Sequence, residues 1–342
     1  MNSTASTRNV SMQTAEYTLR FLTPAFLGDA EQNARWRTPP IKHALREWWR
    51  VAYAADRGYD INVADMRREE GLLFGHAWLE GDLDERGKNV AARQSRVRLR
   101  LLPAPGTVPK TSEAVWGKGN KTGVEPLKAN LDTSHARFGL IKRGNGLPDR
   151  NRLEAEEARV LALAYPDNEG EMIARTLRLM HRFATLGSRS RGGWGSVHIE
   201  GCEALTIKEL RQYAQPLDSC LERDWAAALG NDDVGLMLWQ SRTFFKTWDE
   251  AMAQSARWRR EVRGSLKRQK DLREALGFAG GGRMPSPLRW KLLKTKAGLV
   301  LQAAAFPHSL PKDSGASMSI QDLRLAWRSV AAELDTKMNR AG

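Results

Sequence analysis

The stretch LGSRSRGGWGSVHI, residues 186–199, sets Gly187, Gly192, Gly193 and Gly195 around Arg189, Arg191 and Trp194. Backbone without side chains can bring its N–H groups close to an anion, and guanidinium forks match phosphate oxygens. The combination suits a nucleotide, a nucleic-acid backbone, or a solvated turn. Trp194 would add a face on which a base can stack. A second set lies at residues 42–50, where Lys42, Arg46 and Arg50 recur four apart on one helix face, as a binding ridge or a solvated surface. Arg96, Arg98 and Arg100 alternate with Val97, Leu99 and Leu101, so a strand here collects three cations on one side, facing an anion or screened by solvent. His43 and His181 are the residues placed to move a proton in metal-free RNA cleavage, although a lone helical His is more often structural.

The nucleotide reading fails on the order of elements. A P-loop needs a strand before its glycines, a Lys followed by Ser or Thr, and a helix after them, and a dinucleotide fingerprint needs the same order. Here EMIARTLRLMHRFATL places Ile173, Leu177, Met180 and Ala184 at helical spacing ahead of the glycines, and WGSVHIE alternates like a strand behind them. The spacing predicts a helix running directly into Gly187. Asp29 and Glu31, the DLDE run at 82–85 and Asp232–Asp233 read as loop and turn residues rather than a metal-binding carboxylate cluster. Cys202 and Cys220 have no partner at metal-ligand spacing and are too few for a disulfide scaffold. Catalytic residues, metals and cofactors are therefore expected to be none.

The elements carrying these residues form a repeating order. EYTLRFLTP is an expected strand ended by Pro24, and PPIKHALREWWRVAYAA is a helix burying Ile41, Ala44, Leu45, Trp48 and Ala52. The Arg96–Leu101 strand follows, then a loop-rich insertion at about 103–150, then the helix, glycine loop and strand already described. This order fits an α+β fold of ferredoxin (RRM-like) type. The second half supplies a basic helical run at 253–275, a glycine-rich turn containing Arg283 and Ser286, two strands, and a closing helix capped by Ser319 or Asp322. A helix, a glycine-rich turn with Arg and a strand thus occur twice, as a faint internal repeat. The expected organisation is a disordered start at 1–15, a first ferredoxin-like domain at 16–205, and a second at 206–342.

Composition points the same way. The 342 residues carry 54 Lys+Arg against 40 Asp+Glu, a formal charge of +14 that favours a polyanionic partner. No segment approaches the ~18 consecutive apolar residues of a membrane span, so a cytoplasmic chain without membrane contact is expected. Most of the 12 tryptophans are expected in the core.

RFLTPAFLGDAEQ, RTPPIKHALREWWR, LLFGHAW, RQSRVRLRL, LGSRSRGGWGSV and RMPSPLRWKL occur in that order over most of the chain. Together they resemble the RAMP superfamily of CRISPR effector subunits, and within it the first-subunit branch of the type III-B Cmr effector complexes. The resemblance implies two ferredoxin-like domains and partners comprising crRNA, target RNA and the other subunits of a type III complex. It also implies a place near the 3′ portion of the guide. Target cutting in such complexes belongs to a repeated backbone subunit with an aspartate in the loop after its first strand. Asp29 falls in the comparable loop, but its surroundings follow the non-cutting pattern, so no catalysis is carried over. Where the family helix reads Lys-Gly-Ala-Leu-Arg, this chain has His43 in place of the glycine, which weakens the case for close backbone approach there. The expected RNA contacts are Lys42, Arg46, Arg50, Arg96, Arg98, Arg189, Arg191, Gly192, Gly193, Trp194, Arg283 and Ser286. Two competing readings are an endoribonuclease using His43 or His181, and a docking protein whose glycine loops hold neighbouring subunits and touch RNA little.

Overall fold

The structure, a computed structural model, describes residues 11–30, 33–77, 79–84, 86–105, 152–267, 271–279, 282–311 and 316–341. Residues 1–10 of the expected disordered start and nearly all of the expected insertion at 103–150 lie outside these residues. The first strand, β1 (Met12–Phe21), begins before the expected position, because β5 (Ala158–Pro166) continues far enough to pair Met12 with Pro166 and Ala15 with Leu163.

Chain order in the first half is β1, α1 (Thr38–Asp56), α2 (Val63–Phe74), a short hairpin of β2 (His76–Ala77) and β3 (Ala92–Arg93), β4 (Arg98–Pro103), β5, α3 (Gly170–Phe183) and β6 (Val197–Ile199). The four longer-range strands form one antiparallel sheet in the order β4-β5-β1-β6. Along β1, Leu19 and Phe21 turn inward, meeting Leu161 and Leu163 of β5 and the α1 stripe Ile41, Leu45 and Trp48. Every residue of the expected α1 stripe, Ile41, Ala44, Leu45, Trp48 and Ala52, is buried.

After a small sheet of β7 (Ala214–Pro216), β8 (Leu229–Asp232) and β9 (Gly235–Leu236), with α4 (Ile207–Leu210) and α5 (Leu217–Leu221) beside it, the second half repeats the same order. It runs β10 (Leu238–Ser241), α6 (Trp248–Ser265), the hairpin β11 (Phe278–Ala279) and β12 (Arg283–Met284), β13 (Leu288–Thr295), β14 (Gly298–Ala305), α7 (Ile320–Asp335) and β15 (Met338–Arg340). Its sheet order is β13-β14-β10-β15. Discounting the short hairpins and α2, each half is therefore βαββαβ, with its strands adjacent in the order second, third, first, fourth. Ser319 caps α7, its hydroxyl accepting the Asp322 N–H at 3.1 Å.

The halves share one core. Ala304 and Phe306 of the second half join the cluster around Trp48 and Phe183, with the Phe306 ring 5.4 Å from Trp48 and 5.2 Å from Phe183. Lys291 of β13, 1% exposed, donates its Nζ to the carbonyls of Met180 (3.2 Å) and His181 (2.6 Å), and Gln302 of β14 donates to that of Arg182. These donors satisfy the carbonyls that the last turn of α3 leaves open. The helix consequently ends at Phe183, where Ala184 takes an extended conformation, and does not run on to Gly187 as its apolar spacing predicts.

The glycine-rich loop follows as a tight return. Leu186 and Gly195 face each other through the Leu186 N–H to Gly195 carbonyl bond of 2.9 Å, and Gly195 donates to Pro24 at 2.9 Å. Gly195 has φ +65°, and a Cβ there would stand 2.0 Å from the Leu186 carbonyl oxygen. Gly195→Ala should therefore cost on the order of 3 kcal/mol or more from left-handed strain plus backbone clash. Gly58, at φ +58° with nothing within 4 Å of a Cβ, provides the control. Gly58→Ala should cost only about 1 kcal/mol. Denaturant midpoints of the two variants check the difference.

A candidate nucleic-acid interface between the two sheets

The glycine-rich loop spends its backbone on the protein. Gly192 and Gly193 donate their N–H groups to the Arg189 and Ser190 carbonyls at 2.9 Å each, closing a turn. The Gly193 carbonyl accepts the hydroxyls of Thr23 and Ser196, both at 2.8 Å, and the Arg191 carbonyl accepts the Trp290 N–H of β13 at 3.0 Å. A Cβ on Gly192 would meet the Arg259 guanidinium at 2.3 Å. These glycines permit close packing of the second half against the first, so the expected amide contacts from Gly192 and Gly193 to phosphate are replaced by internal bonds. Trp194 is also turned inward. It is 3% exposed in a cluster with Phe26, Met252 and Trp248, which leaves no face for the expected base stacking.

Arg191 contributes as a tether. Its guanidinium donates to Glu47 of α1 at 2.6 Å, and Arg289 of β13 donates to the same carboxylate oxygen at 2.8 Å. Arg289 also lies over the rings of Trp48 (4.7 Å) and Phe306 (5.1 Å). Burial alone would raise the Glu47 carboxyl, but Arg289 and Arg191 together hold it well below the usual carboxylate range.

Beside this tether a groove of about 1070 Å3 opens between the halves. Its lining includes Arg37, Arg189, Arg191, Arg259, Arg263 and Arg283, together with His43 and Ser286, and among the described residues it contains no carboxylate. Arg259 packs its cation over the Gly192 backbone, and its pKa is pushed down to about 10 by burial first and then by the like charges of Arg189 and Arg263. A half-buried cluster of one sign attracts anions strongly, because little solvent screens it. Of the expected contacts, Arg189, Arg191, Gly192, Arg283 and Ser286 meet here. Arg37, Arg259 and Arg263 were not singled out by residue in the sequence, although the last two stand four apart in the basic run.

Lys42, Arg46 and Arg50 line a second pocket of about 630 Å3 on the adjoining side of α1, which shares His43 with the groove. Two of these three cations are already paired. Arg50 grips the buried Glu70 of α2 through Nε (2.6 Å) and Nη2 (2.9 Å), and Arg46 bonds the same carboxylate. Lys42 is held below its usual pKa by burial, then by Arg46. Arg93 in the same pocket bonds Asp82, which also accepts the Nε2 of His76 at 2.7 Å. Arg96 and Arg98 are exposed near and on the edge strand β4, outside both pockets.

A model of the RAMP superfamily matches residues 18–198, more than half of the chain. The chain belongs to the RAMP superfamily. The fold of this RAMP protein is similar to the crystal structure of Cmr1 from Pyrococcus furiosus in its apo form, with a TM-score of 0.52 and 17% identity over 94% of this chain and 97% of that one. A chain in the cryo-EM structure of the type III-B Cmr-beta complex bound to cognate target RNA is also similar, at a TM-score of 0.48 and 11% identity, covering 94% of this chain and 99% of that one. No curated protein matches the sequence. Among the described residues no helix is long and apolar enough to cross a membrane.

The two histidines of this RAMP protein stand in opposite settings. His43 is exposed on α1 where groove and second pocket meet. His181 is buried, and its Nδ1 accepts the Ile199 N–H at 3.1 Å. No substrate can reach it, which removes it as a general base. Asp29 serves its own loop, accepting the Asn33 N–H at 2.8 Å and pairing with Arg35 at 2.8 Å. Among the described residues no group of three His, Cys, Asp or Glu stands close enough to hold a metal ion.

The His181 pKa is pushed down to about 3 by burial first, then by Lys291, His198 and Arg182. Unfolding restores an ordinary imidazole near pKa ~6.5, so between these values the unfolded chain binds a proton that the folded chain refuses. Stability from this group is complete above about pH 6.5 and declines as the pH falls toward 3, by up to ~1.4 kcal/mol per pH unit. Asparagine can keep the acceptor for Ile199. His181→Asn should therefore flatten the acid side of the stability profile, measured by urea denaturation across this range.

Proposed function

We propose that this RAMP protein is a non-catalytic RNA-binding subunit of a crRNA-guided type III CRISPR effector complex, holding RNA near the 3′ part of the guide and its target. The two βαββαβ halves are read as ferredoxin-like domains, residues 16–205 with the insertion and residues 206–342, because the second-third-first-fourth strand adjacency is the ferredoxin arrangement. Superfamily membership and the likeness to Cmr1 favour crRNA, target RNA and the other effector subunits as partners, and a cytoplasmic location. The observation that carries the RNA reading is the groove, where, among the described residues, six arginines line a cleft without a carboxylate. Arg37, Arg259 and Arg283 have no ion pair among the described residues, so their charge is available to phosphates. Lys42, Arg46 and Arg50 extend the cationic surface across α1, with two of the three partly neutralised by Glu70.

Phosphate contacts release counterions, so each one contributes a salt slope of about 0.7 for single strands. Arg259→Gln with Arg263→Gln should weaken binding to RNA of any sequence and reduce the slope by up to ~1.4, measured by fluorescence anisotropy from low to moderate salt. Arg46→Gln should have a smaller effect. An unchanged slope in the double variant would remove the groove from the site.

The exposure of His43 beside the groove keeps a metal-free ribonuclease as the one specific rival. RNA incubated with the protein, with and without EDTA, should remain intact on a denaturing gel. Cleavage product that vanishes in His43→Ala would replace the binding reading with an enzyme.

A further inference from the structure

We propose that the outer face of the first sheet is a docking surface for the paired helices of a different protein subunit, with Arg98 receiving a helix carboxylate and Arg100 the carbonyls at a helix C-terminus. The second half of the chain shows what such a face does when it is occupied. On β13, Trp290 joins the core under α6 and α7, while Arg289 and Lys291 point the other way, onto the helices of the first half. Arg289 grips Glu47 of α1, and Lys291 binds the carbonyls of Met180 and His181 at the end of α3. That face is wholly covered, since Arg289, Lys291, Leu293, Gln302 and Ala304 are all buried.

β4 carries the same pattern in the same place. Each is the second strand of its half, and Arg98-Leu99-Arg100-Leu101-Leu102 matches Arg289-Trp290-Lys291-Leu292-Leu293 as cation, apolar, cation, apolar, leucine. Pairing with the third strand matches too. Arg98 opposes Ala164 and Leu102 opposes Val160, as Arg289 opposes Ala304 and Leu293 opposes Val300. Leu99 and Leu101 join the core with α1, so the alternation of a strand puts Arg98 and Arg100 on the face away from the helices. In the first half this face is bare. Arg98 and Arg100 are exposed without an ion pair among the described residues, and Val160, Ala162 and Ala164 beside them are only half-buried.

The chemistry of the face selects its occupant. Next to the β5 residues it presents Thr14, Glu16 and Thr18 of β1, and among the described residues no Phe, Tyr or Trp. An RNA strand would find no ring to stack on and would bring its phosphates to Glu16. A second copy of this chain is disfavoured by charge. Its α1 and α3 are already covered by its own second half, and on α6 the residue directly before Trp258, where α1 has Glu47 before Trp48, is the exposed Arg257. The occupant is therefore a different subunit whose helices offer an acid to Arg98 and a C-terminus to Arg100, where the helix dipole also favours a cation. This surface rests on membership of a multisubunit complex and not on RNA in the groove.

The test assembles the full-length chain with the other subunits of its effector complex, co-expressed from the neighbouring open reading frames. A benzophenone side chain in place of Leu102 should crosslink to a helix of one other subunit, located by mass spectrometry. Arg98→Glu with Arg100→Glu should lower the share of this chain recovered in the complex by about tenfold, because like charges across an interface are strongly unfavourable. Arg98→Lys with Arg100→Lys should be recovered as the wild type is. Replacing the acid on the crosslinked helix by Arg should restore assembly of the glutamate variant. The thermal midpoint of the isolated glutamate variant should match the wild type, which separates lost docking from lost folding. Full recovery of the glutamate variant, or crosslinks to RNA or to a second copy of this chain, would overturn the inference and leave the RNA reading of the groove standing. Failure of the wild type to assemble with any of these subunits would overturn the effector-complex reading, and the docking surface with it.

Discussion

The bridge through Glu47 is the contact on which the geometry of the groove depends. One carboxylate on α1 receives Arg191 from the glycine-rich loop and Arg289 from β13, so a single side chain ties together a helix, a loop and the sheet of the other half. Removing three charges from water is costly, and such a cluster stabilises little unless its geometry is good and its remaining donors are occupied. Here the Arg289 plane rests on Trp48 and Phe306, which supplies cation–π attraction and fixes its direction. The triad keeps one surplus positive charge, and its Arg191 lines the groove.

Around this bridge the arginines divide into two populations. Arg46 and Arg50 are gripped by the buried Glu70, Arg93 by Asp82, and Arg340 by Asp232 and Asp335. These pairs join α1 to α2, pin the β2–β3 hairpin and hold the last strand. Among the described residues Arg37, Arg259 and Arg283 have no such counter-charge, and all three line the groove. A net charge of +14 could be spread evenly over a surface, where it would only raise solubility. The placement of the carboxylates concentrates it instead, since Glu70, Asp82, Asp232 and Asp335 all neutralise cations away from the cleft.

Much of this was legible in the residues. The apolar stripe Ile41, Leu45 and Trp48 was read correctly as a buried helix face, because burial on one face imposes its period on any sequence that folds, and the two strands expected after the second glycine-rich turn are β13 and β14. The role of the glycine-rich loop was not legible. Glycines at Gly187, Gly192, Gly193 and Gly195 report that backbone is closely approached, but not by what, and a carbonyl or a guanidinium of the same chain demands the same absence of Cβ as a phosphate would. Trp194 was misplaced for a related reason, since a ring among glycines and arginines has one composition whether it faces solvent or Phe26 and Met252. Arg46 and Arg50 read as a ridge from their spacing, while Glu70, the residue that decides how much of that ridge is free, lies on another helix. Arg37, Arg259 and Arg263 converge only after the two halves dock, and no local pattern records that docking.

The same docking explains how a cleft of like charges can exist before any ligand arrives. Arg189, Arg259 and Arg263 repel one another in partial burial, a cost that would drive a loosely joined pair of domains apart. The halves resist because Phe306 is inserted beside Trp48, Lys291 and Gln302 cap the end of α3, and the Gly193 carbonyl accepts the Ser196 hydroxyl, which itself accepts the Leu292 N–H at 2.9 Å. Apolar burial and satisfied backbone thus hold the repulsion in place, and an anion entering the groove relieves it without having to assemble the site. Binding energy that would otherwise be spent on ordering the cleft is then available for affinity. A preformed cationic groove is what a subunit needs if it must hold a flexible single strand whose own ordering already opposes binding.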